Sequence, residues 1–213
     1  LLKRRASLRN YKQVDIQEEH LDIIIEGAMR APSAGNMMPY SIIVVKDKVK
    51  KEILSHTCDE QPFIAKAPVL LIFVADYQKW MDYYRINGVE EFCKENGRDF
   101  NHPSEASLFL ATQDALIAAQ NAVITAESIG IGSCYIGDIM EHFEKHKQLF
   151  NLPQYAFPIA MLCLGYFPDG HNHQTKERFD KRYVVFNEEY KKLTDEDIKQ
   201  MYKHLEGRYV PQN

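Results

Sequence analysis

Arg5, Ser7 and Arg9 alternate along the segment Arg5-Ala6-Ser7-Leu8-Arg9, and Lys176 and Arg178 alternate around Glu177. In an extended backbone, residues two apart point the same way, so four cations and one hydroxyl could converge on a single anion. Guanidinium forks and a lysine ammonium suit phosphate oxygens. The chain carries 26 Lys and Arg against 30 Asp and Glu, a formal charge of -4. Positive charge gathered at these segments is therefore local, and nothing resembles the continuous basic face of a nucleic-acid binder.

Other spacings are weaker candidates. Gly130-Ile131-Gly132-Ser133-Cys134-Tyr135-Ile136-Gly137 is rich in glycine. A dinucleotide fingerprint needs its glycines between a strand and a helix, whereas these follow a long helical run and the third comes two places late. A helix end leading into a strand is the simpler reading. His142 and His146 stand four apart, but no zincin glutamate or third ligand accompanies them, and they are expected on a solvated surface. No G-x-S-x-G is present for a serine hydrolase. Cys58, Cys93, Cys134 and Cys163 are scattered, with no zinc-ligand spacing, and read as free core thiols in a reducing compartment.

The elements that must position these residues follow from pattern. Asp15-Ile16-Gln17-Glu18 reads as a capping box, after which Leu21, Ile24, Ile25, Ala28 and Met29 share a helical face until Ala31-Pro32. Strands are expected at Ser41 to Lys46, at Pro68 to Ala75, which is apolar on both faces and so central, and at Pro158 to Tyr166. A short helix is expected near Lys50 to Thr57. The alanine-rich run from Ser107 to Ile129 predicts a helix buried on most sides. After a short segment from Ser133 to Gly137, another helix is expected over about Ile139 to Phe150. Helical segments are expected around Glu188 to Leu193 and, capped by Thr194, from Asp195 to Leu205. The stretch 77–103, with Trp80, Tyr83, Tyr84 and Phe92, reads as a helical excursion of the kind that covers a site. The order of elements departs from strict βαβ alternation, so the expectation is one domain over 1–213. It is an α+β sandwich of helices around a mostly antiparallel sheet, with a helical extension at about 187–213. The longest apolar stretches are too short to cross a bilayer and no cleavable signal follows Leu1, so a soluble, cytoplasmic protein is expected.

Ala31-Pro32-Ser33-Ala34-Gly35-Asn36-Met37-Met38-Pro39-Tyr40 is a small-residue loop between a helix and a strand, suited to close approach of a flat ligand. Together, R-x-S-x-R near the start, this A-P-S-x-x-N-x-x-P loop ending in an aromatic residue, Y-I-G after G-I-G-S, and the late K-x-R closely resemble the nitroreductase family of FMN-dependent oxidoreductases. Cys58-Asp59-Glu60-Gln61 falls where the NADPH-dependent flavin and nitro-compound reductase branch carries Cys-x-x-Gln. The resemblance covers about Arg4 to Phe179.

The resemblance implies a nitroreductase-like fold and tightly bound FMN reduced by NADPH or NADH. It further implies homodimers with each FMN at the subunit interface. Residue by residue, it implies that Arg5, Ser7, Arg9, Lys176 and Arg178 hold the FMN phosphate and the pyrimidine edge, with backbone contacts from Ala6 and Leu8. It places Ser33 at the isoalloxazine, Gln61 on its polar side, and Tyr135, Ile136, Gly137 and Asp138 beside the ring. Asn36, Ala34 and Gly35 are implied at the substrate edge. Glu177 departs from a usual proline, Asp138 from a common glycine, and Tyr40 from a usual tryptophan. FMN would carry the redox chemistry, so no protein nucleophile or general base is expected. Donor and oxidant (a nitro compound, quinone or flavin) would use one open slot in turn, and Arg9 would favour the negative charge that reduction brings to the ring. Two alternatives share this reading: the same fold with other flavin chemistry, such as reductive dehalogenation or flavin fragmentation, and a noncatalytic flavin-binding protein. Arg182 and Arg208 are candidate partners of a nicotinamide 2′-phosphate and equally candidate surface charges.

Overall fold

The computed structural model describes residues 1–203, so Leu205 and Arg208 lie outside the described residues. Two compact units are present, Leu1–Gln174 and Thr175–Asn213. The first holds helix α1 (Glu18–Met29), strand β1 (Tyr40–Val45), α2 (Lys48–Thr57), α3 (Pro62–Lys66), β2 (Val69–Asp76), α4 (Gln78–Ile86), α5 (Val89–Glu95), α6 (Glu105–Ser128), β3 (Ile131–Ile136), α7 (Phe143–Leu149) and β4 (Ala156–Tyr166). The second holds α8 (Asp195–Tyr202), whose start carries a reciprocal cap between Thr194 and Asp197.

The four strands form one antiparallel sheet in the order β1-β2-β4-β3. The architecture is the expected α+β sandwich. Every residue of β2 is buried, because alternate side chains feed two separate cores. Leu71, Phe73 and Ala75 pack with α1 and α6, whereas Leu70, Ile72 and Val74 pack with Leu54 of α2 and Ile64 of α3. Pro158 sits in the central β4, where a ladder amide would normally be required. It is tolerated because the register slips opposite Phe73 and Val74, a bulge that removes the need.

Helix α6 turns Ala111, Ala115, Ala118, Ala119, Ala122 and Ala126 inward. Small side chains let it lie close to the sheet and to α1: a Cβ on Gly27 would fall 2.1 Å from Thr125 Oγ1. Its opposite face leaves Phe109, Leu116, Ile117 and Ile124 exposed.

Some expectations need correction. The N-cap of α1 is Gln17, without a side-chain cap, and no box forms at Asp15. Ile16 is buried and holds this stretch extended into the core, while the Tyr166 hydroxyl accepts from the Gln17 amide. The expected helix over Ile139 to Phe150 breaks into a 3-10 turn, Asp138–Met140, and α7. Glu188 to Leu193 is not helical, and Glu188 has φ +61°, which a helix does not accommodate. Among the described residues, no helix is long and apolar enough to cross a membrane.

Candidate functional site

The segment from Arg5 to Arg9 runs without regular secondary structure along β3, where the Leu8 amide donates to the Ser133 carbonyl at 2.9 Å. Leu8 is itself a core residue, and Gly132 is glycine because of it. A Cβ there would lie 2.5 Å from Leu8 Cδ2 and 2.8 Å from Phe167. Gly130, at φ +80°, makes the left-handed exit from α6. The glycine-rich G-I-G-S string is thus a helix end entering a strand.

With Leu8 pinned, Arg5, Ser7 and Arg9 gather about Cys134 in β3. Burial pushes the Cys134 thiol up, and the Arg9 charge, a hydrogen bond with Ser7 and the Arg5 charge oppose it. Arg5 also opposes the rise that burial causes at Tyr135, whose phenol is pushed up to about 12. The Arg9 guanidinium lies 5.7 Å from the centre of the Phe63 ring. Among the described residues, neither Arg5 nor Arg9 has a carboxylate within ion-pair distance. The same is true of Lys176 and Arg178, which lie exposed in the second unit with Glu177 between them. Arg5 is felt by the buried Glu127 carboxylate of α6 without pairing with it, and cations that have no ion-pair partner fit a polyanionic group such as a phosphate.

Ser33 belongs to a different construction. Its hydroxyl donates to Asp114 Oδ2 at 2.6 Å and accepts from the Met38 amide at 2.7 Å, while the Ala34 amide donates to the same carboxylate oxygen at 3.0 Å. Asp114 is buried on the alanine face of α6. Ala34–Asn36 form a 3-10 turn in which Gly35 and Asn36 take φ +56° and +55°. Trp80, in the 77–103 excursion, donates its indole N–H to the Met37 carbonyl at 3.0 Å, and Lys79 donates to the Tyr40 carbonyl at 2.7 Å. The excursion is therefore fastened onto this loop.

Gln61 and Asp138 meet across 77 positions of sequence: Gln61 Nε2 donates to Asp138 Oδ2 at 2.8 Å and to the Cys58 carbonyl at 2.9 Å. Ile136 points into the core, Gly137 is open and exposed, and Tyr135 is partly exposed. Behind this pair lies a residue expected on the surface. His146 is fully buried, with Nδ1 donating to the Ile139 carbonyl at 2.7 Å and Nε2 accepting from the Thr57 hydroxyl at 2.8 Å. Burial lowers its pKa against the bond to Ile139, so the ring is held neutral. Three cysteines are buried as expected, whereas Cys93 is half-buried in α5, and all four are free. Burial pushes the Cys58 thiol up to about 12.

Asp114 and His146 are the contributors that pattern reading missed. A single acid on an otherwise alanine-lined helical face was the available signal for Asp114. For His146 there was none, because α7 is too short to show a stripe.

The chain belongs to the nitroreductase family, whose model matches residues 2–166. It is 31% identical over 190 residues to an NADPH-dependent oxidoreductase of Staphylococcus saprophyticus, covering 89% of this chain and 72% of the relative. It is 32% identical over 186 residues to the FMN reductase (NAD(P)H) of Bacillus subtilis, covering 86% and 70%. The structure of NADPH:FMN oxidoreductase from Vibrio harveyi, complexed with NAD+, superimposes with a TM-score of 0.82 at 27% identity, covering 98% of this chain and 84% of that one.

Proposed function

We propose that the protein is an enzyme that binds FMN and uses a reduced nicotinamide, NADPH or NADH, to reduce small acceptors such as nitro compounds, quinones or free flavins. The observation that carries this reading is the pair of cations, Arg5 and Arg9, docked on β3 through Leu8 and without an ion-pair partner among the described residues, in a chain of this family. FMN, when bound, supplies the two-electron carrier between donor and acceptor.

The chain's own residues bind and orient. Arg5, Ser7 and Arg9 take the phosphate side, and Lys176 and Arg178 are assigned to the same phosphate by their motif alone. Arg9 also lends positive charge to the pyrimidine edge, which stabilises added negative charge there. Gln61, Tyr135, Gly137 and Asp138 border the ring. The loop of Ser33 and the excursion fastened to it by Trp80 bound the slot that donor and acceptor enter in turn, a ping-pong order. Ala6, Leu8 and Ile136 act through backbone and packing. Four free cysteines accord with work in a reducing cytoplasm.

A homodimer is part of this proposal. Phe109, Leu116, Ile117 and Ile124 form an exposed stripe on α6, opposite the face that packs on the sheet, and a second copy of the same helix fits it. FMN is assigned to the place where the copies meet.

The test is the visible spectrum of the purified protein, followed by anaerobic titration with NADPH and with NADH. A yellow protein that bleaches with either supports the reading; a colourless protein that takes up no added FMN overturns it. Steady-state kinetics at several acceptor concentrations examine the order. Parallel double-reciprocal lines are expected, and intersecting lines would reject alternating use of one slot.

A further inference from the structure

We infer that Asp138 is a positioning residue that fixes which way the Gln61 amide faces, so that the site recognises a ring through an imide N–H. This rests on the FMN reading above. Gln61 Nε2 has two hydrogens, and both have acceptors: the Cys58 carbonyl at 2.9 Å and Asp138 Oδ2 at 2.8 Å. A carbonyl can only accept, so the amide cannot be turned over without facing two oxygens with a third. Its Oε1 is left without a partner among the described residues, a hydrogen-bond acceptor and nothing else.

The scaffold holds this arrangement from both sides. Asp59 and Glu60 take φ +61° and +48°, a left-handed pair that turns the chain so that the Gln61 side chain reaches Cys58 three residues back. The Gln61 amide N–H donates to the Ser55 carbonyl at 2.8 Å. His146 bonds Thr57, the neighbour of Cys58, and Ile139, the neighbour of Asp138. One buried imidazole thus ties together the two segments that supply the acceptors for Gln61.

The rim of an oxidised isoalloxazine offers N1, O2, O4 and N5 as acceptors and N3–H, between two carbonyls, as its sole donor. A side chain locked as an acceptor selects that N3–H. An amide free to turn could equally meet a carbonyl and would not require it.

The experiment is to measure dissociation constants of the apoprotein for FMN and for 3-methyl-FMN, which lacks the donor, in the wild type, Asp138→Asn and Asp138→Ala. The wild type is expected to prefer FMN by about tenfold or more, one hydrogen bond together with the unpaired acceptor left behind. Asp138→Ala should bring the ratio down to about threefold, because only the Cys58 carbonyl then opposes the turning of the amide. Asp138→Asn can still present an acceptor and should restore most of the preference. Circular dichroism of each variant verifies that it is folded. A folded wild type that binds FMN but does not prefer it over the methylated form, or an Asp138→Ala that keeps the full preference, overturns the role of Asp138 and leaves the FMN reading standing. A wild type that binds neither flavin overturns the FMN reading itself.

Discussion

The loop around Ser33 and the segment from Arg5 to Arg9 are both short, irregular and rich in polar groups, yet they are finished differently. At Ser33 the hydroxyl is used twice and the Ala34 and Met38 amides each find an oxygen, all within the chain. At Arg5 and Arg9 the backbone is docked, through Leu8, and neither guanidinium closes an ion pair among the described residues. A polar group answered internally contributes to stability, because leaving its partner unmet would be costly. One without an internal partner contributes little to stability and is available to a ligand. The two regions should therefore respond to mutation on different measurements.

The largest effect is expected at the closed network. Asp114→Ala strands the Ser33 hydroxyl and the Ala34 amide, and should cost about 3 kcal/mol in urea unfolding, at ~1–3 kcal/mol for each unmet group. Asp114→Asn, which keeps one acceptor, should cost less than half of that. A change under about 0.5 kcal/mol for Asp114→Ala would mean that the loop stands without its anchor.

The open segment should show the reverse. Arg9→Ala is expected to alter unfolding by under about 0.5 kcal/mol while weakening FMN binding by about 2 kcal/mol, some thirtyfold. Unchanged flavin content and an unchanged rate of reduction by nicotinamide would remove Arg9 from the site. Gly132→Ala combines both behaviours, because the added carbon meets Leu8 and Phe167. Overpacking should cost about 1.5 kcal/mol of stability, and the shifted segment should also lose FMN affinity. Stability loss with intact affinity would show that the cations do not depend on where Leu8 sits.

The smallest expected effect is a slope. The unfolded imidazole of His146 takes its proton near its ordinary value of 6.5, whereas the buried one resists. Protons then favour the unfolded chain, so stability should fall as pH drops below about 6.5, in the direction linkage requires. His56, bonded to Glu60, is raised and acts with the opposite sign, but it is common to wild type and variant. Urea midpoints between pH 7.5 and 5 should fall less steeply in His146→Gln than in the wild type. Equal slopes would deny His146 its titration.

What could be read from the residues was whatever is written locally. The two-faced apolar run of β2 and the alanine density of α6 each declare their burial within one element. The R-x-S-x-R and Cys-x-x-Gln strings are likewise local, and their resemblance pointed to the family to which the chain belongs. Pairings set by the fold were not legible. Nothing near Gln61 announces Asp138, because only the return of β3 along the sheet brings them together. Asp15 illustrates the opposite error. A good local cap signal was overruled because Ile16 gains more in the core than the helix gains from one earlier turn.

Helix α6 also acts as a gauge rod. Its buried face carries two acids, Asp114 and Glu127, thirteen residues apart, which at 1.5 Å per residue is about 20 Å along the axis. One holds the Ser33 loop; the other, lifted toward its neutral form by burial, has Arg5 and Arg4 pulling against that rise. The helix between them is continuous and its alanine face is buried, so the separation of these two ends is a property of the count of residues between them. A single residue inserted midway would rotate one end by about 100° against the other, since a turn takes 3.6 residues.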